Sequence, residues 1–529
     1  MLLEIKIQEK MEEDEYMLLE SMAGCFGFLV LYILVKLVHS IWWKPTSTEK
    51  LLKKQGIKGT CYKPFKGDIP EMNKCAREAA SKPINLNHQI VPRVFPFVHK
   101  MVRKYGEVSV CWFGRKARVI IVDAELTRLI LSNKNGQLIK PPRDPLIKLL
   151  TMGLTSLEGE KWSQRRKAVT SAFLLDKLKA MLPAFSYSCC TMIERWQKFV
   201  EQNNGSSELD VTSELDILTG DVIARAAFGS SYKEGKRIFD IQKEIAILVH
   251  DALTNIYIPG FRFIPTKKNK KRYKLDVQIK DILMDMIKKK EHAMKEDESE
   301  GRSSNDLISI LLESREVGKS LTTKDVIEEC KLFYFAGQVT TKNLLAWTMV
   351  VLSIHPDWQE KARQEVLDLF GKEQIPPDFE AINRLKIVSM ILLEVLRLYP
   401  PVPVISRYTT CETTVGSMAI PAGVELYLPL LLLHHDGRYW ENPQEFNPER
   451  FSQGISKASK DQNAFYPFGW GPRICPGQNF AHLESKMALA MILQHFSLHL
   501  SPSYSHAPCA RLTLTPQYGA PVIVQCISI

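Results

Sequence analysis

Cys475 stands in a setting that suits chemistry: Phe468-Gly-Trp-Gly-Pro-Arg-Ile-Cys-Pro-Gly477. A buried thiol is by itself only a small hydrophobe, whereas a thiolate is a metal ligand. Gly469, Gly471 and Gly477 permit tight turns and close approach of the backbone to a flat ligand. Pro472 and Pro476 stiffen the path and carry no amide hydrogen, so the remaining amides are free to face the sulfur. Arg473 places a fixed positive charge just before it. The residues from Ala481 to His499 predict a helix whose N-terminal end would favour an anionic sulfur.

A second chemical stretch, Ala336-Gly-Gln-Val-Thr-Thr341, falls inside a helix predicted over Thr322–Leu352, with Thr322 and Asp325 spaced as a capping box. Gly337 costs about 1 kcal/mol there relative to alanine, so a packing or ligand reason is expected. Thr340 and Thr341 can turn a hydroxyl back to a carbonyl and open the helical ladder, making room for a small ligand and water. Glu394 and Arg397 form an i,i+3 pair on the apolar helix Ile387–Leu398, where buried charges must pair, and Phe446-Asn-Pro-Glu-Arg-Phe451 offers Arg450.

The cysteine stretch resembles the haem-binding loop of the cytochrome P-450 family, with Phe468, Gly471, Arg473, Cys475 and Gly477 at the family's spacing. The resemblance implies that Cys475 is the proximal iron ligand of a haem b. It also places Ala336, Gly337 and Thr340 on the oxygen side, the small residues leaving space and Thr340 organising protons. Trp162 and Arg166 match a Trp-x-x-x-Arg helix, which with Arg407 and Arg473 would reach the haem propionates. Glu394, Arg397 and Arg450 match the charged set that locks the scaffold. The residue before Thr340 is usually an acid in the family, and here it is Val339. Protons would then come through Thr340, water and Gln338, or the enzyme would rearrange an already oxidised substrate. Ala346-Trp-Thr, Ile354–Arg363 and Pro516-Gln-Tyr-Gly519 are similar to a plant clan that contains secologanin synthase and hydroxylases that inactivate gibberellins and brassinosteroids. Phe335, Ala336, Val404, Ile405 and Gln517 are pocket candidates by family position.

The elements that must carry these residues are mostly helical. Trp162–Phe173, Glu214–Phe228, Arg237–Leu253 and Leu275–Lys295 have helical patterning, while Glu107–Phe113 and Arg118–Val122 predict a hairpin across Gly114-Arg-Lys. Met22–Val35 is apolar and reaches a spanning length when extended through Trp43. Lysines follow it (Lys44, Lys50, Lys53, Lys54, Lys58), which orients the rest toward the cytosol. An apolar loop at Ile256–Pro265 beside Lys267, Lys268, Lys270 and Lys271 would suit a membrane surface or plain solvent. Pro141–Pro145 and Glu296–Asn305 are expected as irregular connectors.

At 529 residues and 45% hydrophobic the chain can bury a large core. Its 11 cysteines show no CxxC pair, which fits reduced thiols. The net charge of +11 suits an anionic surface or an acidic partner, and no nucleic-acid motif accompanies it. The expected fold is mainly α with small β-sheets, with residues 1–45 as a transmembrane anchor and 46–529 as the haem-binding catalytic domain. The expected activity is a haem-thiolate monooxygenase acting on an apolar terpenoid or steroid-like molecule at the endoplasmic reticulum membrane. NADPH electrons would come through a separate flavoprotein reductase, since the chain has no GxGxxG segment, and Lys161, Arg165 and Lys167 would form its docking patch. The alternatives are an isomerase or dehydratase of the same kind, or a membrane haem- or ligand-binding protein.

Overall fold

Pro45 determines how the N-terminal helix meets the rest of the chain. α1 (Leu2–Val38) runs through a π turn at His39–Trp43 straight into the helix Lys44–Lys54. Proline has no amide to donate to the carbonyl four residues back, which is that of Ile41. The Tyr62 hydroxyl donates to that carbonyl instead, at 2.5 Å. The stretch Tyr16–Lys54 is long and apolar enough to cross a membrane; its apolar side chains from Tyr16 to Val38 are exposed, whereas Pro45 and Leu52 are buried. The expected boundary at residue 45 therefore falls within continuous helix, and the exposed apolar run ends at Trp43.

The computed structural model describes residues 2–142, 145, 147–150, 152–254, 261–299, 306–318, 321–371 and 376–527. It is mainly helical with small sheets, as the patterning predicts. The first part of the Ile256–Pro265 loop, residues 300–305 of the Glu296–Asn305 connector and two residues of Pro141–Pro145 lie outside the described residues. The largest sheet orders Lys58–Gly59, Val108–Phe113, Lys116–Ile121, Glu425–Leu428, Ile405–Thr409 and Leu138–Ile139. Its hairpin turns at Gly114, pairing Val108 with Ile121 and Phe113 with Lys116.

Beside this sheet lie α2 (Gly159–Ser171), α3 (Leu175–Gln202), α4 (Val211–Phe228), α5 (Thr323–Ile354), α6 (Ile387–Leu398) and α7 (Gln478–His495). α5 is the spine and packs against α4, α6 and α7. Its capping box is present: the Thr322 hydroxyl accepts from the Asp325 amide at 3.2 Å and the Asp325 carboxylate accepts from the Thr322 amide at 2.9 Å. The helix predicted over Ala481–His499 is corrected at both ends. It starts at Gln478 and stops at His495, and Phe496–Leu500 is a strand. Phe496 and Leu498 are buried while Ser497 and His499 are not, an alternation of period two that wins over helix there. α3 forms as one helix despite Pro183 within it, an element the sequence reading passes over.

α6 carries the expected charged pair. Glu394 and Arg397 are both fully buried, joined at 2.7 and 2.8 Å as a two-pronged pair. The rest of the Arg397 guanidinium donates to the carbonyls of His434, Pro443 and Glu445, and the Asn447 amide donates to Glu394. Arg450 approaches Glu394 at 3.4 Å. Loss of one partner would leave the other charge buried and uncompensated, so Arg397→Leu should destabilise the fold by about 3–5 kcal/mol, read as a lower urea midpoint.

Histidines pack around the same region. His434 is fully buried, with Nε2 accepting from the Tyr466 amide at 3.1 Å, and burial lowers its pKa to about 3. Burial likewise lowers His88 to about 3 and His435 and His506 to about 4. Unfolding releases them to a pKa near 6.5. Below that value the unfolded chain binds protons that the folded chain refuses, so stability is complete above it and declines as pH falls toward 3–4. The melting temperature should therefore drop as pH is lowered from about 7.5 to about 4.5, and His88→Asn should make that slope shallower.

Candidate functional site

Cys475 lies between the turn Gly471–Arg473 and the start of α7. Its amide donates to the Phe468 carbonyl at 3.0 Å, which closes the loop on itself. Gly471 lets that loop seat: a Cβ there would lie 2.4 Å from the Leu131 carbonyl, and its φ is +69°. Gly471 thus positions the loop from outside and does not border the cavity onto which Cys475 opens. Burial raises the Cys475 thiol pKa, while the Gly477 amide and the Arg166 charge act in the other direction.

The cavity has a volume of about 540 Å³. Phe468, Cys475 and Gly477 line it, as do Ala336, Gly337, Thr340 and Thr341 of α5. Trp162 and Arg166 of α2 reach it, together with Arg407 and Arg473. Val404 and Ile405 belong to its wall as expected. Phe335 does not, and packs against the core instead. Gln517 does not either: its amide accepts from Arg93 at 2.8 Å and donates to the Ala80 carbonyl at 3.2 Å.

The α5 residues divide their work differently from the sequence expectation. A Cβ on Gly337 would come within 2.7 Å of Ile223 on α4, so this glycine admits a neighbouring helix as well as bordering the cavity. Thr340 donates its hydroxyl to the Ala336 carbonyl at 2.6 Å. Gln338 faces α4, where its amide donates to the Asp216 carbonyl at 2.9 Å, and it is absent from the cavity wall. Arg165 also points inward, pairing with Glu329 at 2.8 Å and Asp325 at 3.0 Å, so it is no part of an exposed basic patch.

The cations carry the best physical clue to the ligand. Arg407 is buried, donates to the Ser406 carbonyl at 3.0 Å, and has no ion pair among the described residues. Burial, with Arg473 nearby, lowers its pKa to about 10. Arg166 donates to the Ile474 carbonyl at 2.6 Å and is likewise lowered by burial. Arg473 stacks over the Trp162 ring at 4.0 Å and pairs with Glu158. A buried guanidinium without an acid is unfavourable, and the carboxylates of a haem would supply the missing charge. The Cys475 thiol on an apolar cavity would supply a soft sulfur donor to the iron, so the residues present fit haem. The sequence reading missed Lys140, Leu154, Thr155 and Ile223 on this wall. Lys140 is signalled only by its place in Ile139-Lys-Pro-Pro, and the other three look like ordinary core in sequence.

A sulfur donor on an apolar cavity with a buried, unpaired Arg407 and the half-buried Arg166 and Arg473 around it defines a haem-thiolate class of site. The Cytochrome P450 family description matches residues 80–520 of this chain. The chain belongs to the cytochrome P450 family, whose cofactor is haem iron, and it is a P450 monooxygenase by that membership. It is 50% identical to Cytochrome P450 72A397 of Kalopanax septemlobus, over 92% of this chain and 94% of that protein. It is 45% identical to 7-deoxyloganic acid hydroxylase of Catharanthus roseus, over 94% of this chain and 97% of that protein. With Secologanin synthase 1 of Catharanthus roseus the identity is 43%, over 97% and 99%.

If Arg407 answers the haem carboxylates, Arg407→Leu should fold yet retain less haem. The absorbance ratio of haem to protein after gel filtration should fall several-fold, with far-ultraviolet circular dichroism unchanged.

Proposed function

We propose that this protein hydroxylates an apolar terpenoid or steroid-like molecule, using O2 and electrons that pass from NADPH through a separate flavoprotein reductase. The observation that carries the reading is Cys475 opening onto the same cavity as Thr340, Arg166, Arg407 and Arg473, in a chain of this family. When bound, haem supplies the oxygen-activating and electron-transfer chemistry. Cys475 would hold the iron, and Trp162, Arg166, Arg407 and Arg473 would orient the carboxylate edge. Ala336 and Gly337 keep the α5 wall low where oxygen must fit. Apolar wall residues such as Leu154, Val404 and Ile405 favour an apolar substrate and exclude water. Two of the relatives are named 7-deoxyloganic acid hydroxylase and Secologanin synthase 1, terpenoid-type names that support the substrate class.

Residues 1–45 would act as the anchor and 46–529 as the catalytic domain. The lysines after the apolar stretch favour a cytosolic catalytic domain, and the endoplasmic reticulum fits a membrane P450 fed by a reductase. Lys161 and Lys167 stand exposed on α2 and offer positive charge to an acidic partner near the site. Thr340, with its hydroxyl held on the Ala336 carbonyl, organises protons as an acceptor for water.

Val339 is the one observation that favours the isomerase or dehydratase reading, because it removes the usual acid beside Thr340. The reaction itself separates the two. With reductase, NADPH and a terpenoid panel, hydroxylated product should form in strict dependence on oxygen. Val339→Glu should lower the peroxide released per product. Turnover without NADPH would establish the isomerase, and an intact thiolate–haem spectrum with no turnover at all would leave a binding protein.

A further inference from the structure

Glu158 is an acid that does not serve its own helix. It is the residue from which α2 starts, yet its carboxylate accepts from none of that helix's amides. It turns instead to two other segments. One oxygen accepts from the Lys140 amide at 2.9 Å, and the other pairs with the Arg473 guanidinium. Lys140 follows the edge strand Leu138–Ile139 and borders the cavity, and Arg473 belongs to the cysteine loop. A single half-buried carboxylate thus joins the start of α2, the rim of the cavity and the loop that carries Cys475. Arg473 is then held from three sides: by Glu158, by the Leu157 carbonyl at 2.8 Å and by the Trp162 ring at 4.0 Å.

Among the described residues, Glu158 is also the one acid whose charge bears on Arg407 and Arg473. Glu425 borders the same cavity, but Arg118 engages it at 2.9 Å. Lys140 has further contacts and is not a free cation. Arg166, Arg407 and Arg473 bring three positive charges to the wall, and Glu158 cancels one. Two remain, which is the charge that the two carboxylates of a haem neutralise. Glu158 therefore holds the cluster at the charge of the group it receives. With the carboxylates in place the cluster is balanced, whereas a surplus positive charge beside the iron would favour its reduced form.

We propose that Glu158 is a positioning and charge-balancing residue: it orients Arg473 toward the haem carboxylates and keeps the reduction potential of the iron low. The proposal rests on the haem of the family and on no particular substrate or reaction, so it stands or falls apart from the hydroxylase reading.

Redox titration of the full-length, haem-loaded protein without substrate tests it, with the resonance Raman bands of the haem carboxylates as a second readout. Glu158→Gln keeps the shape and an oxygen for the Lys140 amide but lacks the charge. Its midpoint potential should move to more positive values, and its carboxylate bands should shift as Arg473 is released. Glu158→Asp keeps the charge and should stay close to the native potential. An unchanged potential in Glu158→Gln would overturn the proposal. An equal shift in both variants would do so as well, since lost packing rather than lost charge would then be the cause. Carboxylate bands that stay fixed in Glu158→Gln would overturn the orienting role. Should Glu158→Gln take up no haem, Glu158→Asp carries the test. Haem retained there at the native potential supports the charge role, and haem lost or a shifted potential overturns it.

Discussion

The Glu394–Arg397 pair is the constraint on which the rest of the site depends. It joins α6 to the chain segment of His434, Pro443 and Glu445, the segment that leads into the cysteine loop. Carbonyls with no secondary-structure partner receive a buried guanidinium, and the guanidinium receives a carboxylate that is itself bonded by the Asn447 amide. All the donors of Arg397 and both oxygens of Glu394 are satisfied within it. A loop rich in glycine and proline has little regular structure of its own, so its fixed course past the cavity is inherited from this knot.

Close approaches govern the rest. Gly471 brings the loop against the end of the helix Ala124–Ser132, and Gly337 brings α4 against α5. At Gly471 a side chain is missing where two backbones meet, at Gly337 one is missing where the Ile223 side chain packs, and the cavity takes its shape from those contacts. The Tyr62 hydroxyl on the Ile41 carbonyl and the Arg115 guanidinium on the Ser40 hydroxyl do the same for the apolar N-terminal helix, tying its last turns to the folded part.

Much of this was legible in the residue order. Helix patterning found α5 and α6 almost to their ends, because capping boxes and apolar periodicity are local signals. The fixed spacing around Cys475 gave the loop, and single arginines became a set once Cys475 gave them a reason. What sequence did not convey was direction. Gln517, Gln338 and Arg165 all sit near the cavity along the chain, yet their side chains turn to Arg93, Asp216 and Glu329. Leu154 and Ile223 turn the opposite way and form its wall. The strand at Phe496–Leu500 was read as helix because one apolar stretch runs on through two kinds of structure.

The lone buried charge of Arg407 has a consequence for the life of the protein in the cell. With no ion pair to Arg407 among the described residues and only the charge of Glu158 in reach, the newly folded chain carries a poorly compensated cation, and the prosthetic group that brings carboxylates also brings stability. A ligand that binds the folded chain alone draws the population toward it. The amount of this enzyme that survives quality control should therefore follow the rate at which the cell makes haem. The protein's abundance is then partly a readout of cofactor supply, independent of how strongly its message is expressed.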